Sequence, residues 1–510
     1  MGNSVWDTIS NFFVYSESSP LIFTEGSFWF FFAVLLLGYS LVYRTRFLRS
    51  SYLLLFSFFF YYKSSGYFFV LLIFSTLCDY ALGLLISKSS INWRRKLYVA
   101  VSVFINLSVL SFFKYSYFFA NTVNALFDTN FQAFNFLAHW ANVIGGQSFD
   151  VSSIVLPVGI SFYTFQTISY TVDVYRRKVS PVVNIVDFGF YVSFFPQLVA
   201  GPIVRAAEFI PQLYRKYHLA KRELGYAIFL IINGLIKKVV ISDYISINFV
   251  DRVFQSPLSY SGLENLLATY GYSVQIYCDF SGYTDIAIGI ALILGFRLPI
   301  NFNSPYKAVN ITDFWRRWHI SLSSWLRDYL YIPLGGSKRG TFRTYFNLMI
   351  TMLLGGLWHG ASIRFVIWGG IHGISLAAHR VWIKIFPQKQ KRASLWKRAL
   401  GAVFTFHLVS FSWIFFRADS MDKATSMIQQ IGSRFGWQSF IQVITSYSSV
   451  LSLVSLALLV HWLPVKWKEF YRGKFIDTPL VVKLILAILV SILLFQFKAS
   501  ELQPFIYFRF

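Results

Sequence analysis

The chain has 510 residues, of which 56% are hydrophobic, 20% aromatic and only 13% charged, too little polar surface to clothe a soluble globule of this size. Its 46 Lys and Arg against 22 Asp and Glu fall in short clusters between apolar blocks rather than on one basic face, which argues against a nucleic-acid partner. Retention beside a membrane explains the charge instead, because basic loops set topology and meet anionic lipid.

The apolar blocks run from Phe28 to Tyr43, Tyr67 to Ile86, Leu97 to Phe113, Leu266 to Phe296 and Leu484 to Phe497, among others. A helix needs about 20 mostly apolar residues to span a bilayer, and that measure predicts roughly ten to thirteen membrane-embedded segments, some short or interrupted. They must be helices, since a helical bundle satisfies the backbone in lipid. No basic region precedes a short apolar stretch with a small-residue cleavage site, so the first spans are expected to act as anchors rather than as a removable signal. Arg44, Arg46 and Arg49, then Lys88, Arg94, Arg95 and Lys96, flank two crossings and are expected on the cytoplasmic side. The same alternation places Lys384 to Arg398 and Lys466 to Arg472 inside and both termini outside. Cys78 and Cys278 lie in apolar blocks at a spacing that fits neither a zinc site nor a redox pair, and they read as packing residues.

Three regions are expected: N-terminal transmembrane helices over 1–150, a core over 151–420, and an amphipathic loop with final transmembrane helices over 421–510. The core is richer in Gly, Pro, Trp and ionisable groups than a passive anchor requires. Within it, the run from Phe195 to Arg205 contains Pro196, Gly201 and Pro202 and predicts a broken or re-entrant segment. The run from Tyr277 to Asp285 places Asp279 and Asp285 among apolar neighbours, where they demand partners such as Arg205, Arg316 or Arg317, as structural ion pairs lining a cavity.

The stretch from Thr312 to Trp325 predicts one helix with Thr312 as N-cap and Asp313 in its first turn. Trp315, Trp318, His319, Leu322, Trp325 and Leu326 then share an apolar face, opposite Arg317, Ser321, Ser324 and Asp328. Taken alone, this is also the pattern of an interfacial helix with Trp at the headgroups. An imidazole on that apolar stripe is what an interfacial helix leaves unexplained, and it makes His319 a functional candidate. Further on, Gly356 with Gly360 and Gly369 with Gly373 would let helices or a substrate chain approach the backbone closely. His359 sits in that small-residue surface beside Trp358, and an imidazole titrating near neutrality suits proton removal from a hydroxyl. His139, His372, His379, His407 and His461 read as hydrogen-bonded packing histidines, and His218 as solvated in a basic loop. The stretch from Arg417 to Gln442 predicts an amphipathic helix in an outer loop. No phosphate loop, zinc motif or nucleophile elbow occurs at diagnostic spacing, so no metal or tightly bound cofactor is expected.

The segments Phe314-Trp-Arg-Arg-Trp-His-Ile-Ser321, Gly355-Gly-Leu-Trp-His-Gly360, Phe195-Pro-Gln-Leu-Val-Ala-Gly-Pro202 and Asp279-Phe-Ser-Gly-Tyr-Thr-Asp285 resemble the membrane-bound O-acyltransferase family, closely its alginate O-acetylase branch. Leu156-Pro-Val-Gly-Ile-Ser-Phe162, Asn233-Gly-Leu-Ile-Lys-Lys238 and Tyr329-Leu-Tyr-Ile-Pro-Leu-Gly-Gly336 extend the similarity over residues 150 to 420. The resemblance implies an all-α polytopic bundle, with re-entrant and interfacial helices around a central funnel. It makes His319 and His359 the two motif histidines needed for transfer. Trp315, Arg316, Arg317, Trp318, Trp358, Asp279, Asp285 and Arg205 are then the expected channel and support residues.

The implied reaction moves an acyl group from acetyl-CoA or another acyl thioester to a hydroxyl of a cell-surface or exported polysaccharide. An extracytoplasmic acetyltransferase or an export protein is the expected partner, and the bacterial inner membrane the expected site. D-alanyl or peptidoglycan acyl transfer is the alternative acceptor chemistry. Buried His, Asp and Lys with broken helices also describe a proton-coupled transporter or flippase, the different-class alternative.

Overall fold

The computed structural model describes residues 13–16, 20–145, 150–386, 394–497 and 505, and this described chain is helical with no β-strand. The outermost residues of both termini and the middle of the Lys384 to Arg398 cluster lie outside the described residues. The chain packs as two units, Met1–Tyr217 and His218–Phe510.

In the first unit, α1 (Gly26–Val42), α2 (Arg46–Ser65), α3 (Phe69–Lys88) and α4 (Asn92–Phe127) precede α5 (Ile160–Tyr175) and the short α6 (Ala206–Leu213). Polar side chains inside these apolar helices satisfy one another, as a medium without water requires. Asp79 of α3 accepts from Ser102 Oγ at 2.5 Å and from Asn106 Nδ2 at 2.7 Å, both on α4. Asn106 Oδ1 in turn accepts from Ser75 at 2.8 Å and from Thr167 of α5 at 3.1 Å. One member of the first basic cluster also works internally. Arg49 is buried, and its guanidinium donates to the carbonyls of Leu213 at 2.7 Å and Arg215 at 3.2 Å, covering the end of α6.

The second unit opens with α7 (Lys221–Leu235), which continues as a π-helical stretch over Ile236–Asp243. Next comes the central α8 (Gly262–Ile293), whose 32 residues run about 48 Å at 1.5 Å per residue. It starts on a capping box: Ser261 Oγ accepts from Glu264 N, and Glu264 accepts from Ser261 N at 2.8 Å. Then follow α9 (Ile311–Trp315), α10 (Ile320–Leu326), α11 (Thr341–His359), α12 (Ile363–Ile385), α13 (Leu395–Arg417), α14 (Met421–Ser433), α15 (Ser448–Trp462), α16 (Val465–Asp477) and α17 (Leu480–Phe497). The predicted amphipathic helix is α14, which turns Ala424, Met427 and Gln430 inward at a spacing of three. Arg417 before it is held by Asp251 at 2.5 Å.

By length and composition, five stretches of the described chain can cross a bilayer, or up to seven if each of two sharply bent helix pairs is one span. These full crossings are fewer than the apolar blocks suggest. The reason is local: several blocks form short or broken helices, such as the 17-residue α1 and the pair α16 and α17, bent by 112°. The chain is a multi-pass membrane protein.

Candidate active site

His359 is the last residue of α11, and its position follows from how α11 meets α12. A Cβ on Gly356 would lie 2.1 Å from the carbonyl oxygen of Phe365, and one on Gly369 2.3 Å from that of Met352. The glycines therefore serve helix-to-helix contact. The space that Gly356 and Gly360 open is filled by the backbone and ring of Phe365, not left for a substrate chain. After His359 the helix stops at Gly360, and Ser362 caps α12. The imidazole is 4% exposed. It packs between Trp368 of α12, ring centroids 5.1 Å apart, and Phe416 of α13, 5.2 Å apart.

His319 is not on a continuous helix. Asn310, rather than Thr312, caps α9 by accepting from Asp313 N at 2.8 Å, and Thr312 instead bonds His379 Nδ1 at 2.9 Å. The helix ends at Trp315, and α10 starts only at Ile320. Between them His319 takes a left-handed backbone, φ 41° and ψ 57°, which costs a residue with a Cβ about 1–2 kcal/mol. The single helix expected over Thr312 to Trp325 is thus two short ones broken at the histidine. The break turns a face-sharing residue into a fully buried one, at 0% exposure. His319 lies outside the stretches long enough to span, and burial pulls its imidazole down to about 3, so it is neutral at physiological pH.

The two histidines meet on one indole. Trp358 lies 6.2 Å from the ring of His319 and 5.0 Å from that of His359, and Phe280 of α8 packs edge-on against His319 at 4.6 Å. Trp318, buried at 1%, packs on Phe302, Phe314 and Trp413 and walls the same aromatic cluster. Trp315 packs on Trp368 and His372. Three of the other histidines make the expected packing hydrogen bonds, His372 with Ser412, His379 with Thr312, and His461 accepting from Tyr306 N, whereas His407 is exposed and bonds the Val403 carbonyl of its own helix.

Asp279 and Asp285 form ion pairs as expected, the first buried and the second partly exposed, but with other partners. Asp279 pairs with Lys238 at 2.6 Å and Asp285 with Lys237 at 2.7 Å; Asp285 also accepts from Asn233 at 2.9 Å, and Lys238 holds Asp243 as well. Arg317 is engaged by Asp313 at 2.9 Å, Arg316 is exposed, and Arg205 precedes α6 in the first unit. The physical reason is a glycine crossing. A Cβ on Gly282, between the two aspartates, would stand 2.7 Å from Gly234 O, so α7 and α8 approach closely enough for neighbouring lysines to reach both acids. The π-helical winding there narrows the angular step between Lys237 and Lys238.

Sequence comparison places the chain that carries this pair of histidines in a family. Residues 175–418 match the model of the membrane-bound O-acyltransferase family. The chain is 36% identical over 466 residues to a probable alginate O-acetylase of Pseudomonas putida, covering 85% of this chain and 89% of that protein. This chain belongs to the membrane-bound O-acyltransferase family. It is 38% identical to a peptidoglycan O-acetyltransferase of Helicobacter pylori, covering 70% of this chain and 69% of that protein. It is also 30% identical to a teichoic acid D-alanyltransferase of Bacillus subtilis, over 51% of this chain and 68% of that protein.

This acyltransferase thus brings together His319, His359, Trp358, Trp318 and, through Phe280, the helix that carries Asp279 and Asp285. Residue-by-residue reading missed Lys237, Lys238 and Asn233 as the partners of the acids. Their signal was present: two adjacent lysines in an apolar helix have to be neutralised by something.

Proposed function

We propose that this acyltransferase moves an acetyl group from a cytoplasmic thioester, acetyl-CoA or a carrier-bound equivalent, to a hydroxyl of an exported polysaccharide, either directly or through an extracytoplasmic partner. The observation that carries the reading is the shared Trp358 contact of His319 and His359. It lets one substrate complex touch both imidazoles while indole surface excludes the water that would hydrolyse a thioester.

The two histidines suit different tasks. His359 ends a 19-residue helix, where the backbone dipole favours a developing imidazolium by about 0.3–1 kcal/mol, and it serves as the base that takes the hydroxyl proton. His319, neutral and fully buried, sits on the donor side and orients the thioester carbonyl. The alginate O-acetylase relatives support the polysaccharide acceptor, and an inner-membrane location follows from a cytoplasmic donor and an exported acceptor. Peptidoglycan or a D-alanylated polymer is the alternative acceptor.

The experiment compares ester groups on envelope glycans from cells with and without the protein, and follows labelled acetyl-CoA with purified protein. Transfer is expected to fall about 10²- to 10⁴-fold in His359→Ala, with the variant still inserted and accumulating. Release of thiol only when acceptor is present supports the transferase. Movement of unmodified substrate across vesicles, or full activity in a folded His359→Ala protein, would defeat it.

A further inference from the structure

The turn that holds His319 is fixed from outside by one short segment. Arg317 O accepts from Asn303 N at 3.0 Å, and Asn301 O accepts from Ile320 N at 2.9 Å, so residues 301 and 303 grip the chain on both sides of the histidine. A third bond comes from a side chain: Asn301 Oδ1 accepts from Ser321 N at 3.2 Å, capping α10. Because a backbone N–H can only donate, this bond fixes which end of the amide is oxygen. The Asn301 NH2 group must therefore point away from Ser321. Asn301 is 1% exposed, and its Nδ2 is buried and donates to no partner among the described residues.

A buried donor of known orientation, one hydrogen bond from the residue after Ile320, is what acyl transfer needs beside its donor-side histidine. When the acceptor oxygen bonds to the acyl carbon, the carbonyl π pair moves onto oxygen, and a preset N–H that meets this charge lowers the barrier. The pair then returns, the C–S bond breaks, and the thiol leaves with the proton that His359 removed.

We propose that Asn301 is a catalytic residue whose Nδ2–H group donates to the thioester carbonyl oxygen and its oxyanion, while its Oδ1 and main-chain carbonyl hold the His319 turn. The proposal rests on the reading of His319 as the donor-side residue. It divides one side chain into a structural half and a chemical half, and substitutions can separate them.

Asn301→Asp keeps the Oδ1 acceptor for Ser321 N but removes the NH2 donor, whereas Asn301→Ala removes both. Both variants are expected to lose about 10²- to 10³-fold in kcat, the loss typical of one oxyanion donor, with the donor KM little changed. A folded Asn301→Asp or Asn301→Ala protein with wild-type kcat overturns the proposal, as does a loss confined to KM. Should both variants fail to accumulate, the wild-type protein supplies the test. The carbonyl stretch of an acetyl thioester bound without acceptor is expected at lower frequency than in water-free solvent, and an unshifted stretch overturns the proposal. Wild-type transfer with unaffected variants refutes this assignment alone, while absence of transfer in the wild type refutes the function on which it rests.

Discussion

Lys238 is the least exposed cation among the described residues of the second unit, 3% exposed and shared between Asp279 at 2.6 Å and Asp243 at 2.7 Å. Removing one partner of a buried pair leaves an uncompensated charge and typically costs about 3–5 kcal/mol, although replacing a whole pair by apolar groups can be neutral. Lys238→Met is therefore expected to lower the unfolding temperature in detergent sharply, and the double variant Lys238→Met with Asp279→Leu to recover part of the loss. A fluorescence-monitored melt checks both. Equal melting of wild type and Lys238→Met would show that the pair contributes nothing. Lys237 and Asp285, each about one-fifth exposed, are expected to tolerate the equivalent change better, because partial solvation replaces part of the lost partner.

At the scale of elements, the packing of α11 on α12 depends on which glycine faces the partner helix. A Cβ on Gly356 would lie 2.1 Å from the Phe365 carbonyl oxygen, a backbone atom that cannot swing aside, whereas one on Gly370 would have Leu353 Cδ2 nearest at 3.7 Å, an ordinary contact. Gly356→Ala is expected to separate the helices, displace His359 and reduce both accumulation and transfer. Gly370→Ala is expected to resemble wild type. Immunoblotting of membrane fractions alongside the acetyl-transfer assay checks the pair of variants. If Gly356→Ala accumulates and works normally, the close crossing does not position the histidine.

For the whole molecule, the proposed orientation puts Arg44 to Arg49 and Lys88 to Lys96 in the cytoplasm, as the positive-inside rule requires. Arg49 and Arg95 add a second reason for these positions. Arg95 donates to the Tyr175 carbonyl at 2.6 Å and Arg49 to the Leu213 carbonyl at 2.7 Å, so both also complete helix ends in the first unit. A cysteine placed at the exposed Lys96 is expected to resist an impermeant thiol reagent in intact cells and to react in inverted vesicles. Labelling in intact cells would reverse the orientation.

Composition determined the membrane environment, because so few charged residues leave too little polar surface for an aqueous fold, and the long unbroken apolar blocks determined the all-helical class, since a barrel strand needs only about 9–11 residues where a spanning helix needs about 20. Spacing and residue type made His319 and His359 candidates, but the motif resemblance was needed to separate them from His372, which has the same small-residue setting and is a packing histidine bonded to Ser412. Helical periodicity misread the His319 segment. The face-sharing pattern from Trp315 to Leu326 is compatible with one helix, but in the fold the chain is broken at His319, where Asn301 and Asn303 of the segment just before α9 grip it. Charge balance likewise required cations for Asp279 and Asp285, but sequence ranks every nearby Lys and Arg alike. The choice of Lys238 and Lys237 was made where Gly234 and Gly282 let two helix backbones touch. Local sequence sets which groups need partners; which partner arrives depends on the distance between backbones, a property of the packed helices and not of either segment by itself.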